Sequence, residues 1–195
     1  MLPLWFIYIA IVIRLMGGAE YVRSMFIRRP RANPNPITWF CWSLAPMLAA
    51  AAQWQAGVGL EAWMSFALGV GPLMVFVSSL IKGNNSAHFT KFNIACGVFA
   101  LVGVVVWRLT SDPELAIIFC ILADAFGGIP TVVKAYKNPK REPSLPFLMT
   151  MMSMIITILT IKHWTFMDAV FPIYIFLINC VIFTLTWTQI GKPRR

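Results

Sequence analysis

Seven apolar runs divide the chain, each bounded by a short polar or proline-marked turn: roughly 3–26, 37–57, 61–81, 91–109, 114–137, 144–162 and 167–188. About 20 mostly apolar residues carry a helix across the hydrocarbon of a bilayer. The pattern therefore predicts an all-α membrane protein with seven transmembrane helices. Three of the connections carry strong turn signals, RRPRANPNP, KGNNSA and KNPKREPS. The other three, QAGVG, TSDP and HWTFM, are equally short.

Composition agrees with that pattern. Of 195 residues, 59% are hydrophobic and only 12% charged, about half the charge of a soluble domain. The placement of the charge says more than its amount. With the amino terminus outside, thirteen Lys and Arg residues (Arg23, Arg28, Arg29, Arg31, Lys82, Lys91, Lys134, Lys137, Lys140, Arg141, Lys192, Arg194 and Arg195) fall on the inner side, and two, Arg108 and Lys162, on the outer. Glu61, Asp112, Glu114 and Asp168 fall outside, and Glu142 alone lies among the inner bases as a surface acid. This is the positive-inside asymmetry. It requires an odd number of spans, N-out and C-in, with the basic loops and carboxyl terminus cytoplasmic. Trp54, Trp63, Trp107 and Trp164 fall at outer ends and Trp39 and Trp187 at inner ones, where an amphipathic indole settles.

The pI of about 9.8 raises nucleic acid as a partner, but no basic face with interleaved aromatics exists outside the apolar runs, so none is expected. Cys41, Cys96, Cys120 and Cys180 all lie in apolar runs with no C-x-x-C pair, and His88 and His163 are far apart. Buried, inert thiols follow, with neither metal nor cofactor. The amino terminus lacks a basic n-region and a cleavage site, so no removable leader is expected. The sequon at Asn84 falls on the inner side.

The chain also echoes itself. Shifted by 110 positions, Gly17-Gly18 meets Gly127-Gly128, Pro36 meets Pro146, Gln53-Trp54 meets His163-Trp164, and Arg14 meets Asp124. After a gap of three, Glu61-Ala62 meets Asp168-Ala169. Spans 1–3 thus repeat as spans 5–7, and an unpaired span 4 gives both triplets the same direction through the bilayer. The expected organisation is a 3+1+3 parallel repeat, with a first bundle at 1–82, a linker helix at 83–110 and a second bundle at 111–195. Parallel repeats about the membrane normal are a transporter architecture with its site near mid-depth.

The segment GGIPTVVKAYKNPKREPSLP, with Pro130 and the run Lys134, Lys137, Pro139, resembles the PQ-loop repeat of the SWEET and PQ-loop transporters. Thr131 stands where that family has glutamine, and Glu20 where its first-repeat proline would be. The resemblance covers nearly the whole chain. It implies alternating-access transport of a small polar solute, most naturally a sugar. It also implies pocket asparagines on spans 3 and 7, matched here by Asn179 and replaced by Pro72. The family fold is also similar to that of receptors that retrieve luminal proteins, so a membrane-embedded receptor or sorting factor that binds without transporting is the alternative.

Residue chemistry supplies the site candidates. Gly17, Gly18, Gly127 and Gly128 allow close approach and cheap bending, while Pro46 and Pro130 each remove a helix hydrogen bond, so all six are candidate hinges. Arg14, Glu20 and Asp124 lie within spans, where ionisable groups are costly and tend to be functional. Arg14 and Asp124, equivalent in the repeat, are expected to pair, or else Asp124 is held by hydroxyls. Glu20 pairs with Arg23 at i+3 or accepts a proton. Asn179, Pro72, Phe66, Tyr174 and Trp42 are the expected pocket wall. No serine-hydrolase motif, histidine cluster or paired carboxylates suggest an enzyme. The partners implied are the bilayer and a small polar solute, with room for a homo-oligomer.

Overall fold

Asparagine, aspartate and threonine start helices because a side-chain oxygen there satisfies a free backbone N–H. The computed structural model describes residues 1–27, 30–82, 94–95, 98, 101–102, 105–106, 109–110 and 112–190. Within them Asn35 accepts from the amide of Ile37 at 3.1 Å and opens α2, Pro36–Gln55. Asp112 accepts from Glu114 and Leu115 and opens α4, Pro113–Lys137. Thr165 caps α6, Phe166–Thr188. The remaining helices are α1, Phe6–Phe26, α3, Leu60–Ile81, and α5, Leu145–Thr160, with a 3-10 turn at Pro139–Arg141. Among the described residues all regular structure is helical, and the bounds lie within a few residues of six of the seven apolar runs. Most of the fourth run lies outside the described residues, with Asn84, Cys96 and Trp107. The described residues between 94 and 110 are helical.

Among the described residues three helices are long and apolar enough to cross a membrane: α3, α4 and α6. Length does not exclude α1, but Arg14, Glu20 and Arg23 interrupt it. At 16 residues, α5 is short. The distribution of polarity is the reverse of a water-soluble bundle. On α4 the outward stripe is Leu115, Ile118, Leu122, Phe126, Ile129, Val133 and Tyr136, whereas Asp124 and Thr131 are buried. On α1, Tyr8, Ile9, Val12 and Met16 face out while Arg14 and Ser24 are buried. An apolar exterior around a polar interior is the arrangement hydrocarbon selects. Several buried hydroxyls are satisfied on their own helices: Ser24, Ser43 and Ser79 each donate to the carbonyl three residues back.

Helix contacts close into a ring. Helix α1 packs on α3 and α5, α2 on α3 and α4, and α6 on α4 and α5. The core within the ring has two principal layers. One, toward the end that holds residues 1–5, joins Ile7, Ala10, Ala49, Met64, Ile117, Met154 and Phe171. The other, at the far end, joins Tyr21, Met25, Trp39, Val75, Ala135, Phe147 and Ile182. Helices α1, α3, α4 and α6 therefore run from the near layer to the far one, and α2 and α5 run back. The chain leaves α3 at the far end and enters α4 at the near end.

Trp54, Trp63, Trp164 and Trp187 are exposed at the bundle ends. Trp39 is not at an interface: it is buried against Tyr21, with ring centroids 4.3 Å apart. Cys41 and Cys120 are buried free thiols, and Cys180 is only partly covered.

Glycines set the tightest helix crossings. A Cβ added at Gly18 would lie 2.8 Å from the Cα of Gly71, so α1 and α3 touch backbone to backbone. At Gly17 the nearest atoms, Met149 Cβ and the Pro146 carbonyl of α5, would be 3.3 Å away. Backbone cannot move aside as a side chain can. Gly18→Ala should therefore destabilise the bundle by about 1–3 kcal/mol despite its better helix propensity. Its thermal midpoint in detergent should fall below that of Gly17→Ala, and equal midpoints would refute the close crossing.

Candidate functional site

The site begins with a proline. Pro72 has no N–H, so within α3 the carbonyl of Leu68, four residues back, loses its helical donor. Arg14 of α1 supplies one: its Nη2 donates to the Leu68 carbonyl at 3.1 Å. Gly71 provides the space, since a methyl there would lie 3.0 Å from Arg14 Nη1. The buried arginine and the mid-helix proline thus explain each other. A freed carbonyl in an apolar surround needs a donor, and a buried guanidinium needs an acceptor.

Asp124 of α4 is buried as well, at 3% exposure. Its Oδ2 accepts from the hydroxyl of Tyr174 on α6 at 2.8 Å, and its backbone carbonyl accepts from Trp42 Nε1 of α2 at 3.1 Å. Arg14 and Asp124 do not form the expected direct ion pair: no contact within 4.0 Å joins them. Each is instead tied to a neighbouring helix, Arg14 to α3 and Asp124 to α6.

Both charges line one narrow cavity of about 40 Å³ between the two core layers. All six helices contribute. Gly17, Gly18 and Tyr21 extend the wall along α1, and Trp39, Trp42 and Pro46 along α2. Leu68 and Pro72 come from α3, and Pro146, Phe147 and Thr150 from α5. Ile175, Ile178 and Asn179 close it from α6. The amide nitrogen of Asn179 bonds back to the carbonyl of Ile175 at 2.8 Å. Two buried N–H donors in this lining have no partner: Arg14 Nε and Trp39 Nε1.

Of the residues the sequence singles out, Arg14, Gly17, Gly18, Trp42, Pro46, Pro72, Asp124 and Asn179 are in this lining, and Tyr174 stands behind Asp124. Phe66 is elsewhere, packed on Trp54 and Trp63 with centroids 5.9 and 6.2 Å away. Glu20 is also outside the lining, in an ion pair with Arg23 at 2.7 Å toward the far end. Gly127 and Gly128 lie against Cys41 and the Trp42 ring, and α4 continues without interruption through them and Pro130. In the static structure these glycines are helix contacts.

Glu142 is not the surface acid its loop position suggests. At 2% exposure it accepts from the Tyr21 hydroxyl at 2.6 Å and pairs with Lys134 at 2.6 Å. Lys134 also donates to the Asn33 carbonyl. One carboxylate thus clasps α1, the α1–α2 connection and α4 together at the far end. The available signal was a single acid among many bases. Tyr21 was also legible, since Arg14, Gly17, Gly18 and Tyr21 recur at helical spacing on one face.

A double-mutant cycle tests the proline–arginine pairing. Arg14→Leu should leave the Leu68 carbonyl buried without a donor, a cost of about 1–3 kcal/mol. Pro72→Ala restores the backbone donor, so the same Arg14→Leu change should cost at least about 1 kcal/mol less in that background. Additive losses in chemical or thermal unfolding would refute the pairing.

In comparisons with protein-family models, curated proteins and solved structures, the chain matches none.

Proposed function

We propose that the protein is a multi-pass membrane transporter of SWEET or PQ-loop type that carries a small polar solute by alternating access, its basic far end cytoplasmic. The observation that carries this reading is the cavity. It lies between two packed layers, draws on all six helices, and holds two buried charges that the repeat makes equivalent. A chamber with buried charges midway between two closures is what a carrier needs to expose a solute to one side at a time.

The packing supports an internal duplication. Exchanging α1, α2 and α3 for α4, α5 and α6 maps the ring of contacts onto itself. The alignment that pairs Arg14 with Asp124 and Pro72 with Asn179 also pairs Leu68 with Ile175, and the carbonyl of each receives a side-chain donor. Because α3 ends and α4 begins at opposite ends, a returning span between them fits a 3+1+3 arrangement. Arg31, Lys82, Lys134, Lys137, Lys140 and Arg141 gather at the far end, and Asp112, Glu114 and Asp168 at the near end. That supports N-out and C-in.

In this reading Glu142 is the far-end clasp, and transport opens it. The glycine contacts on α1 and α4 are where helices roll past one another, the motion assigned to the hinge candidates.

The test is uptake of labelled sugars, amino acids and other small polar solutes into proteoliposomes. Asn179→Ala and Trp42→Ala should each slow uptake of the carried solute by about tenfold or more, the scale of a lost pocket contact. Glu142→Gln should change the rate while leaving equilibrium binding nearly intact. Saturable binding with no flux for any solute would refute the transporter and leave the receptor.

A further inference from the structure

We infer that the cavity is built for a zwitterion, a small α-amino acid with an apolar side chain, rather than for a neutral sugar. The inference rests on the cavity being the solute site and deepens that reading. A cation and an anion, both more than nine-tenths buried, share the lining of one narrow chamber. They stop short of each other, with no ion pair inside 4.0 Å. Each has unspent capacity. Arg14 donates to Leu68 but its Nε has no partner. Asp124 accepts from Tyr174 at Oδ2 alone, and a carboxylate offers about four lone-pair sites.

Ligand chemistry follows from what would satisfy both walls. An isolated buried charge is expensive, and a charge-assisted hydrogen bond is the strongest compensation available. A carboxylate placed at Arg14 is also within the lining that holds the second unpartnered donor, Trp39 Nε1. An ammonium placed at Asp124 completes the set. Bridging the two groups takes two hydrogen bonds of about 2.8 Å with the short α-amino acid backbone between them. A sugar offers only neutral hydroxyls, and a simple amine or carboxylate leaves one protein charge unanswered. Of the other lining side chains, Leu68, Phe147, Ile175 and Ile178 are apolar, and the polar Thr150 and Asn179 donate back to their own helices, so the ligand's own side chain is mainly apolar.

Binding to purified protein in nanodiscs tests this with four probes: L-leucine, leucinamide, 4-methylpentanoate and glucose. Leucine should bind at least about tenfold tighter than either single-charge analogue, the worth of one charge-assisted bond. Asp124→Asn should reduce leucine to the level of 4-methylpentanoate, and Arg14→Gln should reduce it to the level of leucinamide. These opposite changes in selectivity would not follow from a general loss of structure. If Arg14→Gln does not fold, the Asp124→Asn arm decides alone. Glucose binding without leucine binding, or no binding of any probe, overturns the zwitterion. Leucine binding without proteoliposome flux leaves the zwitterion standing and removes the transporter.

Discussion

The hydrogen bond from Arg14 to the Leu68 carbonyl reconciles two features that hydrocarbon penalises singly. A proline inside a membrane helix strands a carbonyl, and an arginine at mid-helix strands a charge. Joined across α1 and α3, each answers the other, and Gly71 gives the guanidinium its place. The crossing of the two helices is fixed at the same level, where Gly18 meets Gly71. The position of the charged cavity follows from that one contact.

Helices α1–α3 and α4–α6 are then joined by polar bonds at three depths, the nearest being Gln53 Nε2 of α2 to the Met167 carbonyl of α6. At the cavity, Trp42 of α2 reaches the Asp124 carbonyl of α4. At the far end, Glu142 and Lys134 tie α4 and its following turn to Tyr21 and Asn33. Between them the contacts are apolar and carry no directional preference, so sliding costs little until a polar bond must break. A buried carboxylate–ammonium pair loses on the order of 3 kcal/mol when one partner is removed. That makes the far-end clasp the stiff element of the interface.

Helix existence was legible because apolar runs of membrane length, punctuated by NPNP and KNPKREP, leave little choice of element. Six runs became helices within a few residues of the expected bounds. The cavity was legible where chemistry is rare: a charge, a mid-helix proline or an asparagine inside a greasy run. It was not legible where the residue is common, and Trp39 illustrates why. Its indole at a helix end fits an interfacial belt equally well, and only the ring of Tyr21 beside it decides. Pairing was the least accessible layer. Arg14 and Asp124 have opposite charge and align when the sequence is shifted by 110 positions, yet each found another partner, a freed carbonyl and a phenol. Neither partner announces itself in one dimension.

The inner face of α5 carries a ladder of four hydroxyls, Thr150, Ser153, Thr157 and Thr160, each donating its proton to a carbonyl three or four residues back. A hydroxyl has one proton, so each of these has spent it. What remains toward the bundle interior is lone pairs alone. Along this edge the helix can receive hydrogen bonds but not give them, so any molecule moving lengthwise beside it must supply the protons, as a hydroxyl, an ammonium or water itself can.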